Sequence, residues 1–221
     1  MIKGKILIFF LFILLIQSAC NNERTKNKYN SQKTISNNPI KRINKRKSII
    51  DRTNQIKQWK KLECGLWKSK NGELGFKIIE GNEQGIIIDR YITELCCNGK
   101  KLNSIIDTST FKRLGSSFYK DKNHIYNYYA MAEGGNFGIV ENADLKTFEV
   151  IGDCYARDKE NIFGERKMIM KNIDYKTFKT KKGIGCFAKD INGYYFWDQK
   201  IDTNNLNDSI VKKAITELDK I

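Results

Sequence analysis

Apolar and polar positions divide the 221-residue chain into three regimes. An unbroken apolar run, Ile6 to Ile16, opens it behind Lys3 and Lys5. Residues 21–47 follow, rich in Asn, Lys, Ser and Thr, and there no strand or helix period survives. Beyond them, short apolar stretches alternate with glycines and polar turns, the pattern of short strands. Leu74 to Ile79, Gly85 to Ile88 and Tyr91 to Cys97 read as strands. Asn98-Gly99 predicts a hairpin turn joining the last of them to Lys100–Ile106. Ile49 to Leu62 has a loose helical spacing that opens the ordered part. At the far end Ile210, Val211, Ala214, Ile215, Leu218 and Ile221 recur at helical spacing behind Asn207-Asp208-Ser209. The expected helix covers the open edge of the preceding units, as the end of a repeat array requires.

The pattern Asp-x-x-Thr-Phe occurs three times, at Asp107-Thr110-Phe111, Asp144-Thr147-Phe148 and Asp174-Thr177-Phe178. An apolar residue precedes each Asp (Ile106, Ala143, Ile173), and Gly115, Gly152 or Gly183 follows each Phe. Then come Phe118-Tyr119-Lys120-Asp121, Cys154-Tyr155-Ala156-Arg157-Asp158 and Cys186-Phe187-Ala188-Lys189-Asp190. A degraded fourth copy, Ile201-Asp202, has Leu206 at the Phe position. The spacing predicts an Asp N-cap, with the preceding apolar residue and the Phe forming a hydrophobic staple. The glycine is expected to end a short helical turn, and two or three strands follow, with Asp121-Lys122-Asn123 as a tight turn.

Asp121-Lys122-Asn123-His124-Ile125-Tyr126, the Thr-Phe elements, and Ala188-Lys189-Asp190-Ile191-Asn192-Gly193-Tyr194-Tyr195 together resemble the DKNYY family of bacterial repeat proteins. The resemblance covers roughly residues 105–202. It implies a repeat architecture and a cell-envelope setting, and carries no catalytic residues. The expected fold is mainly β (α+β): tandem repeats of short antiparallel strands and hairpins, each with one short helical turn, closed by a C-terminal helix. The expected segments are a lipoprotein signal peptide (1–19), a lipid-anchored disordered basic tether (20–47) and a β-rich part (48–106). DKNYY-like repeats (107–206) and a capping helix (207–221) complete the chain.

The leader's eleven apolar residues are too few for a membrane span and fit a signal peptide. Leu15 to Cys20, ending Gln17-Ser18-Ala19-Cys20, resembles a bacterial lipobox, which implies lipidation of Cys20. The expected location is therefore the cell membrane, and the outer membrane where there are two. Charge supports this division. The chain carries +15, of which residues 21–61 hold +11, so the remaining body is nearly neutral. No nucleic-acid partner is expected. Beside a lipid anchor, the run from Lys41 to Lys47 reads as attraction to anionic headgroups or as a solvated linker.

Chemistry is sparse. His124 is the only imidazole, which excludes metal centres built on clustered histidines. Asp121, Asp158 and Asp190 recur in register, and a periodic row suits turns better than one catalytic pair. No catalytic residue, metal ligand set or cofactor is expected. Cys154 and Cys186 occupy equivalent positions; they are either a disulfide, if their strands are neighbours, or small buried hydrophobes. Tyr126, Tyr128, Tyr194 and Trp197 are the candidate binding surface for a protein or glycan. The leading expectation is a non-enzymatic, membrane-anchored envelope lipoprotein whose repeat domain binds or scaffolds. An immunity-type lipoprotein neutralising a toxin and a hydrolase of cell-wall or carbohydrate polymers are the alternatives.

Overall fold

The computed structural model describes residues 38–81, 85–131, 134–166 and 168–221, and residues 38–221 form one compact unit. The leader, Cys20 and the first part of the tether lie outside the described residues. Helix α1 spans Pro39–Lys57. Its start is set locally: Asn38 Oδ1 accepts the N–H groups of Ile40 (3.0 Å) and Lys41 (3.3 Å), and Pro39 has no N–H to satisfy. The part of the tether from Pro39 to residue 47, expected to be disordered, is therefore helical. No residue of α1 is buried. Polar contacts attach it instead: Asn54 Nδ2 donates to Asp89 O at 2.8 Å, Arg46 meets Glu80 at 2.9 Å and Lys57 meets Glu73 at 2.7 Å. The helical spacing read over Ile49 to Leu62 matches the second half of α1, which ends at Lys57 ahead of β1, while the first half carries no apolar period.

Among the described residues, sixteen short strands follow in four antiparallel sheets, each a four-stranded meander in chain order. The first holds β1 (Lys60–Lys61), β2 (Trp67–Lys68), β3 (Leu74–Gly81) and β4 (Ile87–Ile92). The second holds β5 (Lys112–Gly115), β6 (Phe118–Lys120), β7 (Ile125–Tyr129) and β8 (Asn136–Ile139). The third holds β9 (Glu149–Val150), β10 (Tyr155–Arg157), β11 (Ile162–Gly164) and β12 (Met168–Ile169). The fourth holds β13 (Lys179–Thr180), β14 (Phe187–Asp190), β15 (Gly193–Phe196) and β16 (Gln199–Lys200). Helix α2 (Ser209–Leu218), capped by Asp208, closes the chain. The fold is thus mainly β with tandem antiparallel units and a terminal helix. Each unit has four strands where two or three were expected, because the outer strands are as short as two residues.

Successive sheets share cores. Phe76, Phe111, Tyr126 and Phe137 fill the junction of the first two sheets. Phe118, Phe148, Ala156 and Phe163 fill the next, and Tyr155, Phe178, Ala188 and Tyr195 the third. Ala214 and Leu218 of α2 cover Phe187 on β14, so the helix lies on the face of the last sheet rather than along an edge strand. Each repeat Phe therefore sits at a junction between units.

The Asp-Thr elements lock the second, third and fourth units at one end. Asp107 Oδ1 accepts the Ser109 and Thr110 N–H groups at 3.0 and 3.1 Å, the capping arrangement expected. Thr110 Oγ1 in turn accepts the Lys122 N–H at 3.0 Å, and Asp121 Oδ2 accepts the Asp107 N–H at 2.8 Å. The second and third copies repeat this through Thr147–Lys159 and Asp144–Asp158, then Thr177–Ile191 and Asp174–Asp190. Asp202 caps a 3₁₀ turn by accepting the Asn204 N–H at 3.0 Å. Contrary to the expectation from spacing, the glycine after each Phe does not end a helix. A strand intervenes in every copy, and Gly152 is not among the positive-φ glycines.

The hairpin at Asn98-Gly99 is also only half present. The turn forms, with the Leu95 N–H bonded to Lys100 O at 2.8 Å, but Leu102–Ser104 is a 3₁₀ turn and not a strand. Leu102 is fully buried, and this packing overrides the local strand pattern.

Candidate functional site

The end of each unit away from the Asp-Thr lock is its first hairpin turn, and these turns touch in series. Ser116 Oγ donates to Asp153 O, and Asp153 Oδ2 accepts the Gly183 and Gly185 N–H groups at 2.8 Å each. Cys154 and Cys186 sit one residue further on and are joined by a disulfide, with Cα atoms 5.0 Å apart. They immediately precede β10 and β14, strands of different sheets, so the bond joins two turns and not two paired strands. The turns of the third and fourth units abut directly. Closing this 32-residue separation should contribute about 3–4 kcal/mol by restricting the unfolded chain. Reduction, or Cys186→Ser, should lower the urea midpoint correspondingly, as measured by tryptophan fluorescence.

The same end of each unit receives a second repeated contact. The backbone N–H groups of Tyr128, Glu165 and Trp197 donate to the carbonyls of Ser117, Cys154 and Cys186 at 2.9, 3.0 and 2.8 Å. These three side chains occupy one structural position in three successive units, and all line a single cleft of about 520 Å³. Tyr129, Arg166 and Arg113 complete its walls. The Arg166 guanidinium lies over the Trp197 ring at 3.2 Å and over Tyr129 at 5.6 Å. Glu165 Oε1 accepts the Trp197 indole N–H at 3.1 Å, and the Arg113 guanidinium donates to Ser116 O at 2.8 Å. Burial raises the Tyr128 and Tyr119 hydroxyl pKa values, so both phenols stay protonated donors. The cleft therefore brings together aromatic rings, two guanidinium groups and the Glu165 and Asp153 carboxylates, while the Tyr128 hydroxyl donates to Gly134 O at 3.2 Å.

Of the expected surface residues, Tyr128 and Trp197 come together here. Tyr126 does not: it is fully buried, its hydroxyl bonded to Asp121 Oδ2 at 2.8 Å. Tyr194 lies under α2 and donates to Asp219 at 2.6 Å. Tyr129, which belongs to the same aromatic cluster in the sequence, also lines the cleft, whereas sequence reasoning missed Glu165, Arg166 and Arg113. The available signal was register, since Tyr128, Glu165 and Trp197 each fall eleven residues after Ser117, Cys154 and Cys186.

Asp121, Asp158 and Asp190 sit in separate sheets and serve their own turns. Asp121 accepts four hydrogen bonds, from the N–H groups of Asp107, Asn123 and His124 and from Tyr126 Oη. Burial pushes its carboxyl up, but these bonds outweigh burial and leave it lowered. Asp107 is held well below the usual range by Lys122, with Ser109 and Thr110 assisting. Asp144 and Asp174 are lowered mainly by Thr147 and Thr177. A lowered folded-state pKa gives stability that is present above the unfolded value and lost as pH falls through the folded one. The melting temperature should hold from neutrality to about pH 5 and drop below about pH 4, where unfolded aspartates protonate. A melt series across that range measures it. Among the described residues Cys154, Glu165 and Cys186 are the one cluster with metal-ligand spacing, and the disulfide occupies both of its sulfurs.

The model of the DKNYY family matches residues 135–199, from the approach to β8 through β16, so a DKNYY-family segment is present. No curated protein and no solved structure matches the chain. No helix among the described residues is long and apolar enough to cross a membrane.

Proposed function

We propose that this protein is a lipid-anchored envelope lipoprotein whose repeat array is a non-catalytic binding module, receiving its ligand in the Tyr128–Trp197 cleft. One observation carries the reading: three successive units place the same structural position around one cleft. Repeat arrays form ligand surfaces in this way, from equivalent positions of stacked neighbours. Aromatic rings and arginines supply much contact energy at small ordering cost. A ligand with planar or ring faces fits the aromatic walls. An anionic group fits beside Arg166, since the Glu165 and Asp153 carboxylates are engaged by the Trp197 indole N–H and by the Gly183 and Gly185 N–H groups. The anchor reading rests on Lys3, Lys5, the apolar run and the Ala19-Cys20 junction.

The two parts are tested separately. Cys20→Ala should abolish incorporation of labelled fatty acid, and globomycin should leave full-length precursor; normal processing without label would remove the anchor. For the cleft, residues 38–221 are the appropriate fragment, since Arg46 of α1 is paired to the buried Glu80. Retention of this fragment on isolated envelope material should weaken about tenfold or more for Arg166→Glu, about 1.4 kcal/mol, with an unchanged melt. Equal retention of the variant would overturn the cleft assignment.

A further inference from the structure

The five cysteines beyond Cys20 divide unevenly: Cys154 and Cys186 are bonded, and Cys64 is half-buried against the first core. The other two, Cys96 and Cys97, are adjacent on the turn between the first and second sheets. Their sulfurs approach to 2.8 Å, under about 1 Å longer than a disulfide bond. The surroundings hold them there. The Cys96 N–H donates to Phe137 O at 2.9 Å, Cys97 takes a positive φ of 74°, and the Leu95 N–H to Lys100 O bond closes the turn. Cys97 is exposed and Cys96 half-buried beside Gly138, so an external reagent meets Cys97 first.

We propose that Cys96 and Cys97 are a redox modification site that closes into a vicinal disulfide by exchange with a small-molecule disulfide. The Cys97 thiolate attacks one sulfur of the donor disulfide, giving a mixed disulfide and releasing one donor thiolate. The Cys96 thiolate then displaces the second donor thiolate and forms the intramolecular S–S bond. The two cysteines lose two protons and two electrons, and the donor leaves as two thiols. The order follows from the site. Burial, then the hydrogen bond with Cys97, raises the Cys96 thiol to about 11. Cys96 is thus the poorer first nucleophile, and capture of Cys97 removes that hydrogen bond. The closed pair would stiffen the turn against β8, whose Phe137 pairs with Tyr128 in the cleft wall.

Trypsin isolates the pair in the peptide Tyr91–Lys100, because cleavage follows Arg90 and Lys100. The reduced full-length protein is freed of reductant, incubated with glutathione disulfide, alkylated with N-ethylmaleimide under denaturing conditions, and mapped by mass spectrometry. The peptide should lose both maleimide sites and become lighter by two hydrogens; dithiothreitol before alkylation should restore two maleimides. In Cys96→Ser the reaction should stop with glutathione on Cys97. Two maleimides after glutathione treatment, a stable glutathione adduct in the unaltered protein, or a cross-link to the Cys64 peptide would each overturn the proposal. Ligand binding does not enter these readouts, so their outcome is independent of the cleft.

Discussion

Phe148→Ala should lower the folding free energy by about 3–5 kcal/mol, the cost of removing a buried ring and leaving a cavity. The ring is 8% exposed and meets Phe118 edge-on at 5.4 Å and Phe163 at 5.3 Å, on both sides of the junction between the second and third sheets. Its loss therefore loosens two units at once. Asp144→Ala should cost only about 1 kcal/mol, the usual value of a cap. Asp144 is half-exposed, and water can replace its bonds to Lys146 and Thr147. Phe111→Ala and Phe178→Ala should resemble Phe148→Ala, since those rings are 6% exposed in the neighbouring junctions. Thermal and urea melts decide the matter. An unshifted Phe148→Ala melt would mean that the ring belongs to a recognition surface and not to a core.

Asp121→Ala should be comparably severe, about 3–5 kcal/mol, for a different physical reason. The side chain is 1% exposed, and its removal strands three N–H groups and the buried Tyr126 hydroxyl. Asp121→Asn should recover part of this. Its single oxygen can keep the Asn123 and His124 bonds or the Asp107 and Tyr126 bonds, but not both pairs. The Asp121→Asn protein should also melt with a flatter acid limb, because one lowered carboxyl no longer titrates. Equal melts for the unaltered protein, Asp121→Asn and Asp121→Ala would show that the lock carries little stability.

These two sets of variants probe what was most legible in the sequence. Asp-x-x-Thr-Phe recurs with its apolar neighbour, and the staple and turn roles follow from spacing alone. The reciprocal bond from Thr to the second Asp turn was equally periodic, but it joins residues 12 or 14 apart, beyond any local turn rule. Helix α1 was half obscured for another reason. Its first half docks through polar contacts such as Arg46 to Glu80, so hydrophobic periodicity registered only the part from Ile49 onward. Tyr126 and Tyr128 look alike in sequence, yet one is fully buried and the other lines the cleft, because the neighbouring sheet encloses the first and only partly covers the second. The cleft itself depends on stacking between units, which places Tyr128, Glu165 and Trp197 together across long sequence gaps.

Each of the second to fourth units thus has a locked end, where Asp and Thr fix the turns, and an open end, where side chains vary around the cleft. The most direct test of this division is site-specific photo-cross-linking in cells, with a benzophenone amino acid replacing Ala130 at the rim of the cleft or Lys146 at the locked end. Both positions are exposed, so both probes are tolerated and reach solvent equally. A discrete cross-linked species should form from position 130 and not from position 146. Cross-links of equal yield from both positions, or from 146 alone, would contradict a binding cleft at the open end.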